Sequence, residues 1–302
     1  MLVYVLLGIS IVVNVGLIFY TLRRFRIMGL LNQYLDKVLA GEYAPEILDQ
    51  CEGEVSILKS NIYKTTTTLK YQKELLSEEK VRMADAIADI SHQLKTPLTS
   101  LMVMNDLLKT EDDPKKIQEF LSTQSHQLDR MQWLIQTLLK LSKIDAGTIE
   151  MKKETYVASD LIAEAMKPFE IQMELKNINY SFNDVEGLKL CCDKNWTLEA
   201  IQNIVKNCLE HMSSEGTLQI ALEDNNLFQE ISIADDGCGI SEEDLPHIFE
   251  RFYKGSNAGK DSVGIGLALA KSIMESQRGD ILVESTEGVG TTFKLRLYKT
   301  II

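Results

Sequence analysis

The sequence predicts an α+β chain of several parts. These are one N-terminal transmembrane helix, an antiparallel helical hairpin that dimerises as a four-helix bundle, and a C-terminal α/β two-layer sandwich. Three observations predict them: an uncharged apolar run opens the chain, two amphipathic stripes flank an Asp-Asp-Pro turn, and helical and strand-like segments alternate after residue 150. The 302 residues are 45% hydrophobic and 25% charged, which excludes a wholly disordered chain, a collagen and a polytopic transporter. A net charge of −12 argues against direct nucleic-acid binding, which needs a basic face to neutralise phosphates. The five cysteines, Cys51, Cys191, Cys192, Cys208 and Cys238, are odd in number and lack paired metal-ligand spacing. They read as reduced, mostly buried cytosolic thiols rather than as a disulfide framework or a zinc site.

Residues 1–22 form the membrane segment. Leu2 to Leu22 carries no charge, and Asn14 is its only strongly polar residue; about 20 such residues match the thickness of a bilayer core. Nothing basic precedes the run, whereas Arg23, Arg24 and Arg26 follow it. That order is the reverse of a cleavable signal peptide, and it places the N-terminus outside and the rest in the cytoplasm. The span leaves no room for an external ligand-binding domain, so the stimulus is expected from another membrane protein, from within the bilayer, or from the stalk. Residues 23–79 read as a helical linker. Gly41, Pro45 and Gly53 punctuate it before Glu54-Val55-Ser56 opens another helix, a pattern similar to a shortened HAMP-type signalling linker and equally that of a plain coiled-coil connector.

Residues 80–148 form the hairpin. Met83, Ile87, Ile90, Leu94, Leu98 and Leu101 recur at steps of four and three, which puts one stripe on one side of a helix. Asp112-Asp113-Pro114 marks the turn, Ile117, Leu121, Leu128, Met131, Ile135 and Leu138 make the second stripe, and Gly147 ends it. A lone hairpin leaves its stripe partly exposed and two bury it, so the stripes imply a homodimer. His92 lies two residues past Ile90, about 200° around the helix, and therefore points to solvent. Pro97 removes a helical hydrogen bond to the Gln93 carbonyl and predicts a bend just after the histidine.

Residues 151–302 read as an α/β layer with one mixed sheet and helices on one face. Helices are expected at 158–175, 196–211 and 266–276, and strands at 179–182, 188–192, 217–222, 228–234, 280–284 and 292–297. Four constellations lie on this frame. Asn203 and Asn207 share a helix face and suit a hard cation such as Mg²⁺. Asp235 ends an apolar strand before Gly237 and Gly239; it can accept a bond from an exocyclic amine, and the glycines let backbone approach a planar ring. Residues 245–254 set aromatics among basic residues ahead of a small, polar stretch to Ser262, as a lid with Lys254 facing phosphate would require. Gly264, Gly266 and Leu267 open a helix whose free N–H groups suit an anion.

In this order the motifs resemble those of the sensor histidine kinases of two-component signalling, over residues from about 80 to 302. The resemblance implies that Ser91-His92-Gln93-Leu94-Lys95-Thr96-Pro97-Leu98 is the phosphoacceptor box, with His92 modified using ATP. It makes Asn203 and Asn207 the N box, with Asn207 the Mg²⁺ ligand, and Asp235 the adenine-recognising residue of the first glycine box. Phe249, Phe252 and Lys254 match the F box, Gly264, Gly266 and Leu267 the second glycine box, and Gly288 to Thr291 the terminal glycine turn. The implied fold is the Bergerat (GHKL) fold, and the implied partners are a second copy and a separate response regulator whose aspartate receives the phosphoryl group. Thr96, one turn after His92, is the position that can orient water for regulator dephosphorylation. Two departures stand out: Gln93 replaces the usual acidic residue and is a poor base, although it can orient the imidazole; and Glu210 stands where a lysine is common, so one phosphate-facing cation is lost. The other readings of the same boxes are a GHKL clamp ATPase, a serine-kinase anti-sigma factor, and a catalytically weak ATP-binding membrane scaffold.

Overall fold

The structure, a computed structural model, describes residues 2–39, 54–256 and 262–299. They divide into a unit ending at Asp85 and a unit beginning at Ala86. The first helix, α1 (Leu2–Leu39), does not stop at Leu22: Leu, Arg, Met and Gln all favour helix, so the turn of composition at Arg23 is not a turn of backbone. Its Tyr4–Gly29 stretch has a mean hydropathy of 2.3 and is long and apolar enough to cross a membrane. From Tyr4 to Arg26 every side chain is exposed, so the apolar surface of this stretch is left uncovered by the rest of the described chain. The expected breaks at Gly41, Pro45 and Gly53, the thiol of Cys51 and part of the expected lid (257–261) lie outside the described residues.

Helix α2 (Glu54–Leu108) continues through Pro97, whose ring is buried; the proline leaves the Gln93 carbonyl without its helical donor yet does not end the helix. Helix α3 (Pro114–Asp145) starts where the Asp113 carboxylate accepts the Lys115 N–H at 2.9 Å, with Pro114 in the first turn. It ends before Gly147, which sits at φ +60°. The apolar stripes remain largely open within one chain: Ile87, Leu98, Leu121, Leu128 and Ile135 are all exposed.

The C-terminal domain runs β1 (Glu154–Val157), α4 (Ala158–Met166), α5 (Glu170–Leu175), β2 (Asn179–Asn183), β3 (Lys189–Cys192), α6 (Lys194–His211), β4 (Thr217–Asp224), β5 (Phe228–Asp235), α7 (Gly266–Ser276), β6 (Gly279–Thr286) and β7 (Gly290–Tyr298). The main sheet has the order β2-β4-β5-β7-β6. Only β2 and β4 are parallel; the other pairs are antiparallel. Three expectations are corrected. The segment 158–175 is broken by a 3₁₀ turn at Lys167–Phe169, because Pro168 cannot continue an α-helical ladder. The strand β1, unforeseen, pairs with β3 as a separate two-stranded ladder, Glu154 opposite Cys192, so the strands are not all in one sheet. The described cysteines are not mostly buried: Cys192 and Cys208 are, Cys238 is half-buried and Cys191 is exposed, since adjacent strand residues face opposite ways.

Alternation on β4, β5 and β7 turns Leu218, Ile220, Ile231, Ile233, Phe293 and Leu295 to one face, all buried against α6 (Ile201, Ile204, Val205) and α7 (Leu269, Ile273). From α3, Leu134, Leu141 and Ile144 join the same core. The opposite sheet face is polar, with Glu230 bound to Arg296 at 2.6 Å and the Arg296 guanidinium 4.4 Å above the Phe228 ring. A buried knot ties the entering chain to the helices. The Asp193 carboxylate caps α6 by accepting the Trp196 N–H and also accepts the Lys152 N–H. Gln277, at the end of α7, accepts the Asp193 N–H at 2.7 Å.

Candidate nucleotide site

The site begins with the polar edge of α6. Ile204, Val205 and Cys208 turn into the core, which leaves Asn203 and Asn207 on the other side of the helix. Asn203 donates from Nδ2 to the Glu199 carbonyl at 2.8 Å, so its Oδ1 faces outward, 3.0 Å from where a Cβ on Gly266 would lie. Among the described residues the Asn207 amide has no hydrogen-bond partner, and an amide oxygen is the kind of hard donor that suits a hydrated divalent cation.

The floor is two backbone turns pressed together. Asp235 ends β5 opposite Thr291, and its Oδ1 accepts the Gly237 N–H at 2.9 Å. Burial raises the Asp235 carboxyl above its ordinary range, opposed by bonds from the Cys208 thiol and from the Gly237 and Thr291 amides. Burial, together with the Asp235 charge, holds the Cys208 thiol well up and protonated. A Cβ on Gly239 (φ +67°) would overlap the Thr286 carbonyl, and one on Gly290 (φ +142°) the Asp235 carbonyl. Only glycine permits this approach. The seam is closed by Gly288 N–H to the Cys238 carbonyl at 2.8 Å and Ile240 N–H to Ser285 Oγ at 2.9 Å.

The rim is held by Asp244. Its carboxylate accepts the Tyr253 hydroxyl at 2.6 Å and both the N–H and Oγ of Ser256 at 3.0 and 2.9 Å. The Tyr253 and Ser256 hydrogen bonds hold its carboxyl down at about 2. Phe249 and Phe252 pack against the core, and the Phe252 N–H bonds the Gly264 carbonyl at 2.8 Å. Lys254, fixed between Tyr253 and Gly255, stands at the rim without an ion pair among the described residues. Helix α7 then starts with no side-chain cap at Ile265, so the N–H groups of its first turn are left to the solvent or to a ligand.

These parts enclose one cavity of about 400 Å³. Of the residues expected from sequence, Asn203, Asn207, Asp235, Gly239, Lys254, Gly264, Gly266 and Leu267 all line it. Gly237 stands just behind, where a Cβ would meet the His211 carbonyl at 2.8 Å; it shapes the turn and binds Asp235. Sequence reasoning missed Asp244 and Tyr253, whose nine-residue separation has no helical or strand period, and His126, Arg130 and Trp133 of α3. The only sequence signal for the last three was their i, i+4, i+7 spacing on the polar side of the second stripe.

His92 is not in this cavity. It is exposed on α2 beside a separate groove that Lys95, Thr96, Thr99, Val103 and Phe120 also line. Among the described residues no hydrogen bond joins the Gln93 amide to the His92 imidazole. Thr96 Oγ1 lies 3.4 Å from the His92 carbonyl, a weak back-bond that leaves the hydroxyl free to turn.

A glycine-framed cavity over a mixed sheet, next to a hairpin bearing an exposed histidine, defines a class: an ATPase-type nucleotide domain joined to a phosphoacceptor helix pair. Residues 82–147 match the His Kinase A (phospho-acceptor) domain, and residues 192–301 match the histidine kinase-, DNA gyrase B- and HSP90-like ATPase family. The chain belongs to the sensor histidine kinases of two-component signalling. Over 296 residues it is 27% identical to sensor histidine kinase YclK of Bacillus subtilis, covering 96% of this chain and 62% of that protein. Over 213 residues it is 30% identical to heme sensor protein HssS of Staphylococcus saprophyticus, covering 70% of this chain and 46% of that one. The chain therefore spans about half of the curated relatives it matches. Histidine kinase ThkA, solved in complex with response regulator protein TrrA, shares the fold with a TM-score of 0.62 at 24% identity, over 76% of this chain and 66% of its own. The histidine kinase AdeS of Acinetobacter baumannii shares it at 0.59 and 19%, over 69% and 98%.

Proposed function

We propose that this protein is a membrane-anchored autokinase that moves the γ-phosphoryl group of ATP to His92 and from there to an aspartate of a response regulator. The observation that carries the reading is the convergence of eight separately spaced motif residues on one cavity, in a chain whose attached hairpin exposes His92. Asp235 recognises the adenine amine, the Gly239 and Gly290 turns give the flat floor, and Lys254 with the uncapped start of α7 receives the triphosphate. Asn207 would hold Mg²⁺, which when bound neutralises charge on the phosphates. A ring nitrogen of His92 attacks the γ-phosphorus, an N–P bond forms, the bond to the bridging oxygen breaks and ADP leaves. The regulator step is supported by the groove at His92 and by the ThkA–TrrA complex as a relative's example. The exposed stripes support the homodimer, and the apolar first part of α1 with Arg23, Arg24 and Arg26 following it within the same helix supports a single span in the cytoplasmic membrane, N-terminus outside, with residues 1–22 in the bilayer and 23–79 as linker. The signal then comes from another membrane protein, from within the bilayer or from the stalk.

The direct test follows γ-labelled phosphate from ATP into the full chain: a label stable in base and lost in acid is expected. Nucleotide binding without any such label would favour the scaffold reading instead. Gln93 leaves the imidazole without a basic neighbour, so Gln93→Glu is expected to raise the initial labelling rate about tenfold, since general-base assistance is worth about 100-fold or more where geometry is ideal. An unchanged rate would remove the weak-base explanation. Thr96→Ala is expected to slow dephosphorylation of phosphorylated regulator in the presence of ADP by about tenfold or more, with His92 labelling kept. Regulator phosphate lost at the wild-type rate would end the role given to Thr96.

A further inference from the structure

One wall of the nucleotide cavity comes from outside the ATPase fold. His126, Arg130 and Trp133 stand at steps of four and three on α3, hence on one side of it, and line the same cavity as Asn203, Asn207 and Gly266. The packing that keeps α3 there is extensive. Leu134, Leu141 and Ile144 are buried in the domain core, the Asp145 carboxylate accepts two hydrogen bonds from Arg251 Nη2 at 2.6 and 2.7 Å, and Lys140 pairs with Glu199 at 2.8 Å. Lys206 lies 4.6 Å above the Trp133 ring, which brings the tryptophan to the Asn203–Asn207 edge of α6.

Two lysines, Lys206 and Lys254, line the same cavity among the described residues. Glu210 occupies the position where a lysine was expected and pairs with Lys206 at 3.8 Å, so Lys206 is partly neutralised. That leaves Lys254 as the unpaired ammonium in the wall among the described residues. A guanidinium can grip phosphate oxygens with two parallel bonds.

We propose that α3 completes the nucleotide site, with Arg130 as a phosphate-binding residue supplied by the hairpin and His126 one turn before it. Bound ATP then ties the ATPase domain to α3. Because His92 of the same chain lies outside this cavity, the Arg130 contact belongs to nucleotide binding and not to the transfer step. The inference rests on the ATP-binding reading above. It deepens that reading by making the hairpin both the acceptor and a regulator of nucleotide affinity.

The test uses the full chain in detergent or nanodiscs. The sequence holds two tryptophans, so Trp196→Phe leaves Trp133 as the only indole and its emission as the readout. Titration with Mg²⁺ and a non-hydrolysable ATP analogue is expected to change Trp133 emission at the nucleotide midpoint. Arg130→Ala is expected to raise that midpoint, and the KM for ATP, about tenfold, as for loss of a charge-assisted contact, with no reduction of the labelling rate at saturating ATP. Arg130→Lys keeps charge and stem while losing the fork, and gives a smaller shift of the same sign; it serves where the alanine variant does not fold. An unchanged midpoint, or a reduced rate at saturation, overturns the proposal. If the wild-type chain binds no nucleotide, the kinase reading itself fails. If it binds and labels His92 while Arg130→Ala leaves the midpoint in place, only the α3 wall is lost.

Discussion

Replacing His92 with alanine removes acid-labile labelling of the chain completely, while nucleotide affinity stays within about twofold of wild type. The two halves of this expectation come from one geometrical fact. His92 is exposed beside its own groove on α2, and none of the residues lining the nucleotide cavity belongs to that groove. The substitution removes the nucleophile and no part of the binding site, and a helical position on an exposed face tolerates alanine without loss of fold. Labelling by ATP with the γ-phosphate marked, together with analogue titration on the same preparation, checks both. Label that persists on the alanine variant would place the acceptor elsewhere and dismantle the reading.

The second large effect is at Asp235. Exchange for asparagine is expected to weaken ATP binding about 10- to 100-fold, the range for losing a hydrogen bond to a charged group, and to narrow the preference for adenine over guanine nucleotides. The same exchange is expected to raise the melting temperature of the nucleotide-free protein. Burial puts the folded-state carboxyl of Asp235 above its ordinary value. The folded chain therefore holds that proton to higher pH than the unfolded chain does, and stability falls as pH rises through the interval between the two values. At neutral pH the ionised group works against folding, and asparagine relieves it. For wild type, ATP affinity is expected to begin falling on acidification at a higher pH than an unperturbed aspartate would dictate, because the protonated acid no longer accepts from the adenine amine. Calorimetric titration across pH and thermal melts without nucleotide measure the two signs. An asparagine variant that binds as tightly as wild type would exclude Asp235 as the base-recognising group.

Much of this was written in local sequence. The helix at 266–276 and the strands that flank Asp235 and Gly290 follow from apolar alternation and from glycine placement, which act over a few residues. The strand β1 escaped because its four residues gain their only ladder from β3, more than thirty residues away. The break at Pro168 was legible in principle, since proline punctuates any helix it enters, but the apolar run around it masked it. The site divided the same way. Asn203, Asn207, Asp235 and the glycines carry signals in their own neighbourhoods, as amides four apart on one helix face, as a carboxylate ending an apolar strand, or as turns that a Cβ would forbid. Asp244 carries none, because what it does depends on Tyr253 and Ser256 arriving on the same side of the rim.

By itself the sequence determined the parts: an apolar helix, two stripes, a histidine turned away from them, and a set of backbone turns that only glycine can make. Each rests on periodicity or on backbone sterics, which need no knowledge of distant residues. Tertiary structure alone decided which parts share a space. It put α3 against the ATPase domain through Leu134, Leu141 and the Asp145–Arg251 pair, and so brought Arg130 and Trp133 to the cavity while leaving His92 outside it. Contacts between segments far apart in the chain are set by which surfaces pack with least exposed apolar area and fewest unpaired charges, and that balance belongs to the folded whole.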